Sequence, residues 1–279
     1  MTMSSGAEGM WSFLSDDEAS LCQRFLADGY VIVPVADRTI LDALRFRAVA
    51  LAAAHLGVSV TGEAGAFLDD IHRHVEARQL NALRLSVIRG LNEIPDIRQQ
   101  YHALGRNALE VIAGNELAMQ RRVNLSIQLP DDDSSLLPVH ADVWSGDSPF
   151  EVVLWVPLVD CHATKSMYLL PPGPDAAAQA QLFEFRERSS EDLFQAIANQ
   201  VVFLTVPFGS VLLFSQNLMH GNRINREKTS RWSLNCRFKA LLAPYGDKRL
   251  GEFFEPLVIR PATRLGMQYA LPRGFDDGN

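Results

Sequence analysis

Apolar and polar positions alternate with two different periods along this chain, and the change falls near residue 120. Ser15 followed by Asp16, Asp17 and Glu18 has the form of a helix start, an N-cap with acids at the positive end of the dipole. That helix is expected to run to Gly29, and Tyr30-Val-Ile-Val-Pro34 to form a short strand. Residues 38–56 and roughly 79–113 carry Leu, Ala, Arg and Ile at helical spacing, with a break near Pro95. Beyond residue 120 the period shortens. Segments 123–129, 151–158, 166–170, 201–206, 210–215 and 230–238 read as strands separated by Pro, Gly, Asp and Asn, with one helical stretch at about 175–198. Short strands at this spacing suggest an antiparallel sandwich or barrel with helices packed outside it. The early strand can join the later sheet, so the switch need not divide the chain into two domains.

Two strands are polar on one side. In Arg231-Trp-Ser-Leu-Asn-Cys-Arg-Phe238, Arg231, Ser233, Asn235 and Arg237 share a face opposite Trp232, Leu234, Cys236 and Phe238. Asn124, Ser126 and Gln128 do the same opposite Val123, Leu125, Ile127 and Leu129. On pattern alone this is an ordinary half-buried sheet with its polar side in water. The alternative is a wet cavity inside a barrel.

About half of the 279 residues are apolar, enough for a sizeable core, and the formal charge is -7 with no Lys/Arg run, which argues against a nucleic-acid partner. Three cysteines, none in a C-x-x-C pair, point away from disulfides and thiolate zinc and fit buried small hydrophobes in a reducing compartment. The first twenty residues lack the form of a signal peptide and the longest apolar run, 152–159, is too short for a bilayer, so a cytoplasmic protein without a membrane partner is expected. Oligomeric state leaves no mark.

The chemistry concentrates at His140-Ala-Asp142. On an extended segment residues i and i+2 point the same way, so this pair can grip one metal ion from two sides. A second His from another strand would complete the 2-His-1-carboxylate face that leaves three positions open on non-haem Fe(II). His-x-Asp alone is a weak signal. His220, just after the apolar segment 210–215, supplies the distal His, and Arg231 follows eleven residues later. A guanidinium there suits the far carboxylate of a chelating keto diacid such as 2-oxoglutarate, through two parallel hydrogen bonds. Arg223, Arg226 and Arg237 are rivals for that role.

These residues resemble the Fe(II)/2-oxoglutarate-dependent dioxygenases, in particular the phytanoyl-CoA hydroxylase-like branch. The matching pieces are His140-Ala-Asp142, Trp155 to Asp160, Gly209 to Phe214, His220-Gly-Asn222, Arg231-x-Ser233 and the early segment Phe25 to Pro34. The resemblance implies an α+β fold in one domain over residues 1–279: a double-stranded β-helix (jelly roll, cupin-like) at about 121–260, with flanking helices at about 15–120. It implies Fe(II) on His140, Asp142 and His220, Arg231 on the distal carboxylate of 2-oxoglutarate, and O2 as the third reactant. A further hydroxyl contact to the cosubstrate falls near Ser166 or Thr164, although the usual Asn-Gly and Pro-Gly-Ser-His of relatives is replaced by Thr164-Lys-Ser-Met-Tyr-Leu-Leu-Pro-Pro172. That departure suggests a subgroup similar to oxygenases of bacterial carbohydrate or secondary-metabolite clusters. Because Asp142 is present where related halogenases carry a small residue, hydroxylation or a related oxidation of a small polar metabolite is expected.

The remaining candidates have plain readings beside functional ones. Asn124 and Gln128 could reach the cosubstrate. Trp144 could wall the substrate pocket or be a rim aromatic. Asn222 could touch substrate. Asp147 and Glu151 could read a substrate amine, but a solvated loop is the simpler reading. Asp131-Asp-Asp133 reads as a solvated turn or a lid. His162 reads as a surface or core residue, and His55, His72, His74 and His102 as structural. A cupin-like isomerase or hydrolase and a non-catalytic jelly-roll binding module are the competing functions; the first usually needs more histidines, the second needs neither the ligand set nor Arg231.

Overall fold

The computed structural model describes residues 13–270. Helix α1 (Asp16–Asp28) starts where the capping pattern places it. Ser15 Oγ accepts from the Glu18 N–H, and the Glu18 carboxylate accepts from the Ser15 N–H at 2.8 Å. Gly29 ends it in the left-handed region at φ +77°, and a Cβ there would lie 2.1 Å from Leu218 Cδ1, so the chain can turn only with glycine at this contact. Strand β1 (Tyr30–Pro34) follows. The helical half continues with α2 (Arg38–Leu56), α3 (Ala64–Asp69), α4 (Ala77–Asn92) and α5 (Ile97–Ile112). The break near Pro95 separates the last two, as the spacing predicts.

The strands are β2 (Leu117–Gln120), β3 (Asn124–Gln128), β4 (Glu151–Pro157), β5 (Met167–Leu169), β6 (Val202–Phe203), β7 (Ser210–Ser215), β8 (His220–Asn222), β9 (Arg231–Ala240) and β10 (Phe254–Val258). They form two antiparallel sheets. The larger runs β1-β7-β4-β9-β2-β10, with β3 also paired to β9, and the smaller runs β6-β5-β8. The pairing of β1 with β7 carries the early strand into the late sheet.

Three expectations need adjusting. The strand expected over 201–206 shrinks to β6, because the chain from Leu204 to Val206 pairs only through isolated contacts such as the Cys161–Val206 bridge. The helical stretch expected at 175–198 divides into α6 (Pro172–Ala180), a 3-10 turn at Leu182–Phe185 and α7 (Ser190–Ile197), since Ser189 caps a new helix with Asp192. Strands β2 and β10 and helix α8 (Pro261–Gln268) had no separate signal in the pattern. No described helix is long and apolar enough to cross a membrane.

The large sheet is covered by helices on one side only. Tyr101 of α5 donates its hydroxyl to the Leu154 carbonyl at 2.7 Å, and Gly105 of the same helix lies so close to Leu154 that a Cβ would come within 2.6 Å of its Cδ1. One continuous apolar cluster joins Leu41, Leu83, Tyr101, Leu125, Leu154, Leu213, Trp232 and Phe238 beneath those helices. A second cluster, including Tyr168, Leu193, Phe194 and Met219, fills the space between α7 and the small sheet.

This layering settles the polar faces. In the β3–β9 register Gln128 lies opposite Arg231, Ser126 opposite Ser233 and Asn124 opposite Asn235. The apolar alternates are spent on the helix layer, so these residues turn to the other side. That side is not open solvent: Arg231 and Ser233 are buried, and Ser126, Arg231, Asn235 and Arg237 border a cavity. The half-buried sheet in water, the simpler reading of the pattern, does not hold here.

Candidate metal centre

The cavity measures about 390 Å³ and lies between the two sheets, bordered by Val153, Trp155 and Phe214 from the large sheet and Met167, His220 and Asn222 from the small one. His140, Asp142 and His220 share one wall of it.

Backbone pairing brings the two histidines together. The His140 N–H donates to the His220 carbonyl at 3.0 Å and the His220 N–H returns the bond at 2.8 Å, which sets the rings side by side with centroids 4.4 Å apart. Each Nδ1 lies 2.8 Å from the carbonyl two residues earlier, Pro138 for His140 and Leu218 for His220. A carbonyl only accepts, so each Nδ1 carries a hydrogen, and in the neutral ring Nε2 is the nitrogen that offers a lone pair. Asp142 opens a 3-10 turn (Asp142–Ser145), its N–H held by the Gln216 carbonyl at 3.1 Å. Its Oδ1 lies 3.5 Å from His140 Nε2. One donor atom from each of the three falls within 4.8 Å of the others, and no other such trio occurs among the described residues.

The electrostatics suit a cation. Burial lowers the His220 pKa to about 4, assisted by the neighbouring His140, so this imidazole is neutral at pH 7. Burial acts against the charge of Asp142, yet hydrogen bonding from His140 and the nearby Arg237 guanidinium hold its carboxyl well below the usual range. For His140 burial is likewise outweighed, by its bonds to Asp142 and Pro138, and its pKa is raised. Two imidazole nitrogens and an anionic oxygen are the donor set of a 2-His-1-carboxylate site.

Arg231 stands elsewhere on the same cavity, only 4 % exposed. Its Nη2 donates to Ser126 Oγ at 2.9 Å and its Nε has no partner. No carboxylate among the described residues pairs with it, and burial pushes its pKa down. The Ser233 hydroxyl, two residues along the same face, is also buried without a partner. A buried guanidinium and hydroxyl with unspent hydrogen-bonding capacity are a ready receptor for an anionic ligand.

The other sequence candidates scatter. Asn222 and Asp147 border the cavity. The Asn222 amide is engaged in bracing the loop before His140, accepting from the Leu137 N–H at 2.5 Å and donating to the Ser135 carbonyl at 3.1 Å. Asp147 is buried against Lys248 and Arg237 rather than solvated. Glu151 is also buried, bonded to the Ser148 N–H and to Gln216. Asn124 lies outside the cavity and donates to Asn235 Oδ1 at 3.2 Å, so it is Asn235 that reaches the interior. Gln128 is buried and donates to the Arg223 carbonyl, away from the cavity lining. Thr164 and Ser166 do not border the cavity either. The Thr164 hydroxyl accepts from the Arg226 N–H at 2.9 Å, and the Ser166 hydroxyl is buried without a partner. Trp144 is 41 % exposed and also absent from the lining.

Two cations that border the cavity were not singled out as contacts. Arg237 appeared only as a rival clamp, yet its Nη2 lies 2.9 Å from Asp142 Oδ1 and its Nε 3.0 Å from Gln216 Oε1. The alternation of β9 already placed it on the face of Arg231. Lys248 comes from the loop after β9, and nothing local in the sequence marks it.

No family model matches this chain, and none of the curated proteins does. Solved structures do. The chain is similar to EctD from S. alaskensis with 2-oxoglutarate and 5-hydroxyectoine bound, at TM-score 0.53 and 16% identity over 86% of this chain and 79% of that one. It is similar to the non-heme alpha-ketoglutarate-dependent carbocyclase SnoK from nogalamycin biosynthesis, at TM-score 0.52 and 17% identity over 92% of this chain and 100% of that one. It is similar to HygX from Streptomyces hygroscopicus with nickel and 2-oxoglutarate bound, at TM-score 0.50 and 14% identity over 85% of this chain and 90% of that one. At these identities the likeness is one of fold: a mixed fold of helices and antiparallel sheets shared with non-heme 2-oxoglutarate enzymes.

Proposed function

We propose that this chain is a mononuclear non-haem Fe(II) oxygenase that consumes 2-oxoglutarate and O2 and oxidises a C–H bond of a small molecule. The whole chain is then one double-stranded β-helix domain with flanking helices, akin to the phytanoyl-CoA hydroxylase-like branch through His140-Ala-Asp142, His220 and Arg231-x-Ser233. The observation that carries this reading is the pairing, on one cavity, of three convergent metal donors with a buried arginine that has no acid of its own. Relatives in fold support it, since EctD and HygX hold 2-oxoglutarate and SnoK is described as depending on it.

Both the donor set and the lining fit the two groups. His140 and His220 offer Nε2 lone pairs fixed by their Nδ1–H bonds, and Asp142 brings the negative charge that favours a divalent ion. Arg231 would hold the distal carboxylate. Of the residues that border the cavity, Ser126 and Asn235 take the place of Thr164 and Ser166 as the second cosubstrate contact. A ferrous ion with 2-oxoglutarate supplies the oxidising equivalent from O2, coupled to release of succinate and CO2. Trp155, Phe214 and Met167 give the cavity apolar walls that limit water near the reacting positions. Phe214 also packs its ring edge to the His220 imidazole, with centroids 5.1 Å apart, which fixes that ligand's orientation.

Anaerobic addition of Fe(II) and 2-oxoglutarate tests this directly. A weak visible charge-transfer band should appear, and admission of O2 should yield succinate. His140→Ala and Asp142→Ala should each remove both signals. Metal binding without any such band would defeat the cosubstrate assignment, and turnover retained in either variant would defeat the ligand assignment.

A further inference from the structure

We infer that the substrate carries an oxyanion, a carboxylate, phosphate or sulfate group, and that Arg237 and Lys248 receive it. The inference rests on the oxygenase reading and adds the substrate's charge to it.

The charges on the cavity do not balance once that reading is applied. Five non-histidine charges border it: Asp142, Asp147, Arg231, Arg237 and Lys248. Asp142 is committed to the metal and Arg231 to the cosubstrate's distal carboxylate, while the cosubstrate's other carboxylate offsets the metal's second charge. Arg237 and Lys248 are left sharing the single carboxylate of Asp147, one positive charge in surplus. An amine would add to that surplus, and an oxyanion would cancel it.

The two cations are built to face inward. Asp147 anchors both from behind, Lys248 through its Oδ2 and Arg237 Nε at 3.4 Å from its Oδ1. The Phe253 ring backs the same pair, 5.0 Å from Lys248 Nζ and 5.9 Å from Arg237 Cζ. Gln216 holds Arg237 Nε at 3.0 Å. The loop that carries Lys248 is pinned to the metal loop, since the Asp247 N–H donates to the Gly146 carbonyl at 2.9 Å and Ser148 Oγ donates to the Pro244 carbonyl. What remains unspent is Arg237 Nη1, with two N–H groups, and the further N–H groups of Lys248, none partnered among the described residues. Side-chain exposures of 16 % and 27 % leave these donors reachable from the cavity. Asp147 Oδ2 accepts from Lys248, whereas its Oδ1 faces Arg237 Nε at 3.4 Å as an ion pair without a hydrogen bond. Since Arg237 also touches Asp142, the oxyanion lies beside the metal-bearing wall.

Sulfate is a suitable probe. The Ni(II)·2-oxoglutarate form of the full chain is titrated with sodium sulfate at constant ionic strength and followed by calorimetry. One-to-one binding in the millimolar range is expected, weakened about tenfold or more in Lys248→Met and in Arg237→Gln through loss of a charge-assisted bond. Arg226→Gln, which removes a surface arginine paired with Asp131, should leave it unchanged. No saturable binding, or binding indifferent to Lys248→Met, overturns the inference. Lys248 sits on a loop, so that variant remains informative even where Arg237→Gln fails to fold. The two readings fail separately: absence of 2-oxoglutarate binding with sulfate still held by these residues sinks the oxygenase and keeps the oxyanion site, while the reverse result does the opposite.

Discussion

Replacing Arg231 by Met should weaken cosubstrate binding strongly without destabilising the metal-free protein. In the absence of ligand this guanidinium is buried with a single partner, Ser126 Oγ at 2.9 Å, its Nε unpaired and no carboxylate beside it among the described residues. A charge in that position opposes folding, and an apolar side chain of similar length relieves the desolvation penalty. With 2-oxoglutarate in place the same group would face a carboxylate in a buried, two-bond pair. Truncating one partner of such a pair removes about 3–5 kcal/mol. At about 1.4 kcal/mol per decade, the dissociation constant should rise by roughly two to three and a half decades. Titration of the Fe(II) protein with 2-oxoglutarate, read on the charge-transfer band, measures this, and thermal unfolding of the metal-free variant measures the other half. Arg231→Lys keeps the charge without the fork and should fall between wild type and Met. The reasoning is refuted if the Met variant binds 2-oxoglutarate with near wild-type affinity. A melting temperature that drops by several degrees while binding persists would show instead that Arg231 is a structural residue.

Three further outcomes are expected. Metal affinity should rise with pH, because the raised pKa of His140 favours a proton that the metal must displace, whereas His220, at about 4, and the ionised Asp142 compete little; an affinity that stays flat or falls with pH in calorimetric or competition titrations contradicts the electrostatics. Gly221→Ala should destabilise the protein by about 1–3 kcal/mol and weaken metal binding, since a Cβ there would lie 2.8 Å from the Leu137 carbonyl oxygen and 2.6 Å from Tyr168 Oη, forcing the His140 and His220 segments apart; denaturant melts and metal titrations check both. Trp144→Ala should leave succinate formation unchanged and shift stability by no more than about 1 kcal/mol, as the ring is largely exposed and away from the cavity; a large fall in turnover would mean that it contacts substrate.

Local chemistry made much of this fold readable from the chain. Ser15 and Gly29 bound α1, helical spacing outlines α2, Pro95 separates α4 from α5, and strands β1 and β7 stand where alternation and flanking residues put them. Signals of this kind act over a turn or two of chain, so they survive without tertiary context. His140-x-Asp142 was legible for the same reason, since extended backbone alone aims i and i+2 together; His220 and Arg231 were picked out by their order and spacing and by the family resemblance.

Tertiary structure decided the rest. A polar strand face takes its meaning from what lies opposite, and only the helix layer over Leu125, Leu234 and Trp232 turned Arg231 and Asn235 toward an enclosed cavity instead of water. The meeting of His140 with His220 depends on a backbone bridge across eighty residues, and Lys248 reaches Asp147 across 101. The same long-range packing drew Thr164 and Gln128 away from the cavity and buried Asp147 between two cations. Burial, and with it charge balance, is a property of the assembled layers, so the sequence by itself offered the candidate groups for metal and cosubstrate, and the fold determined which other charges stand beside them.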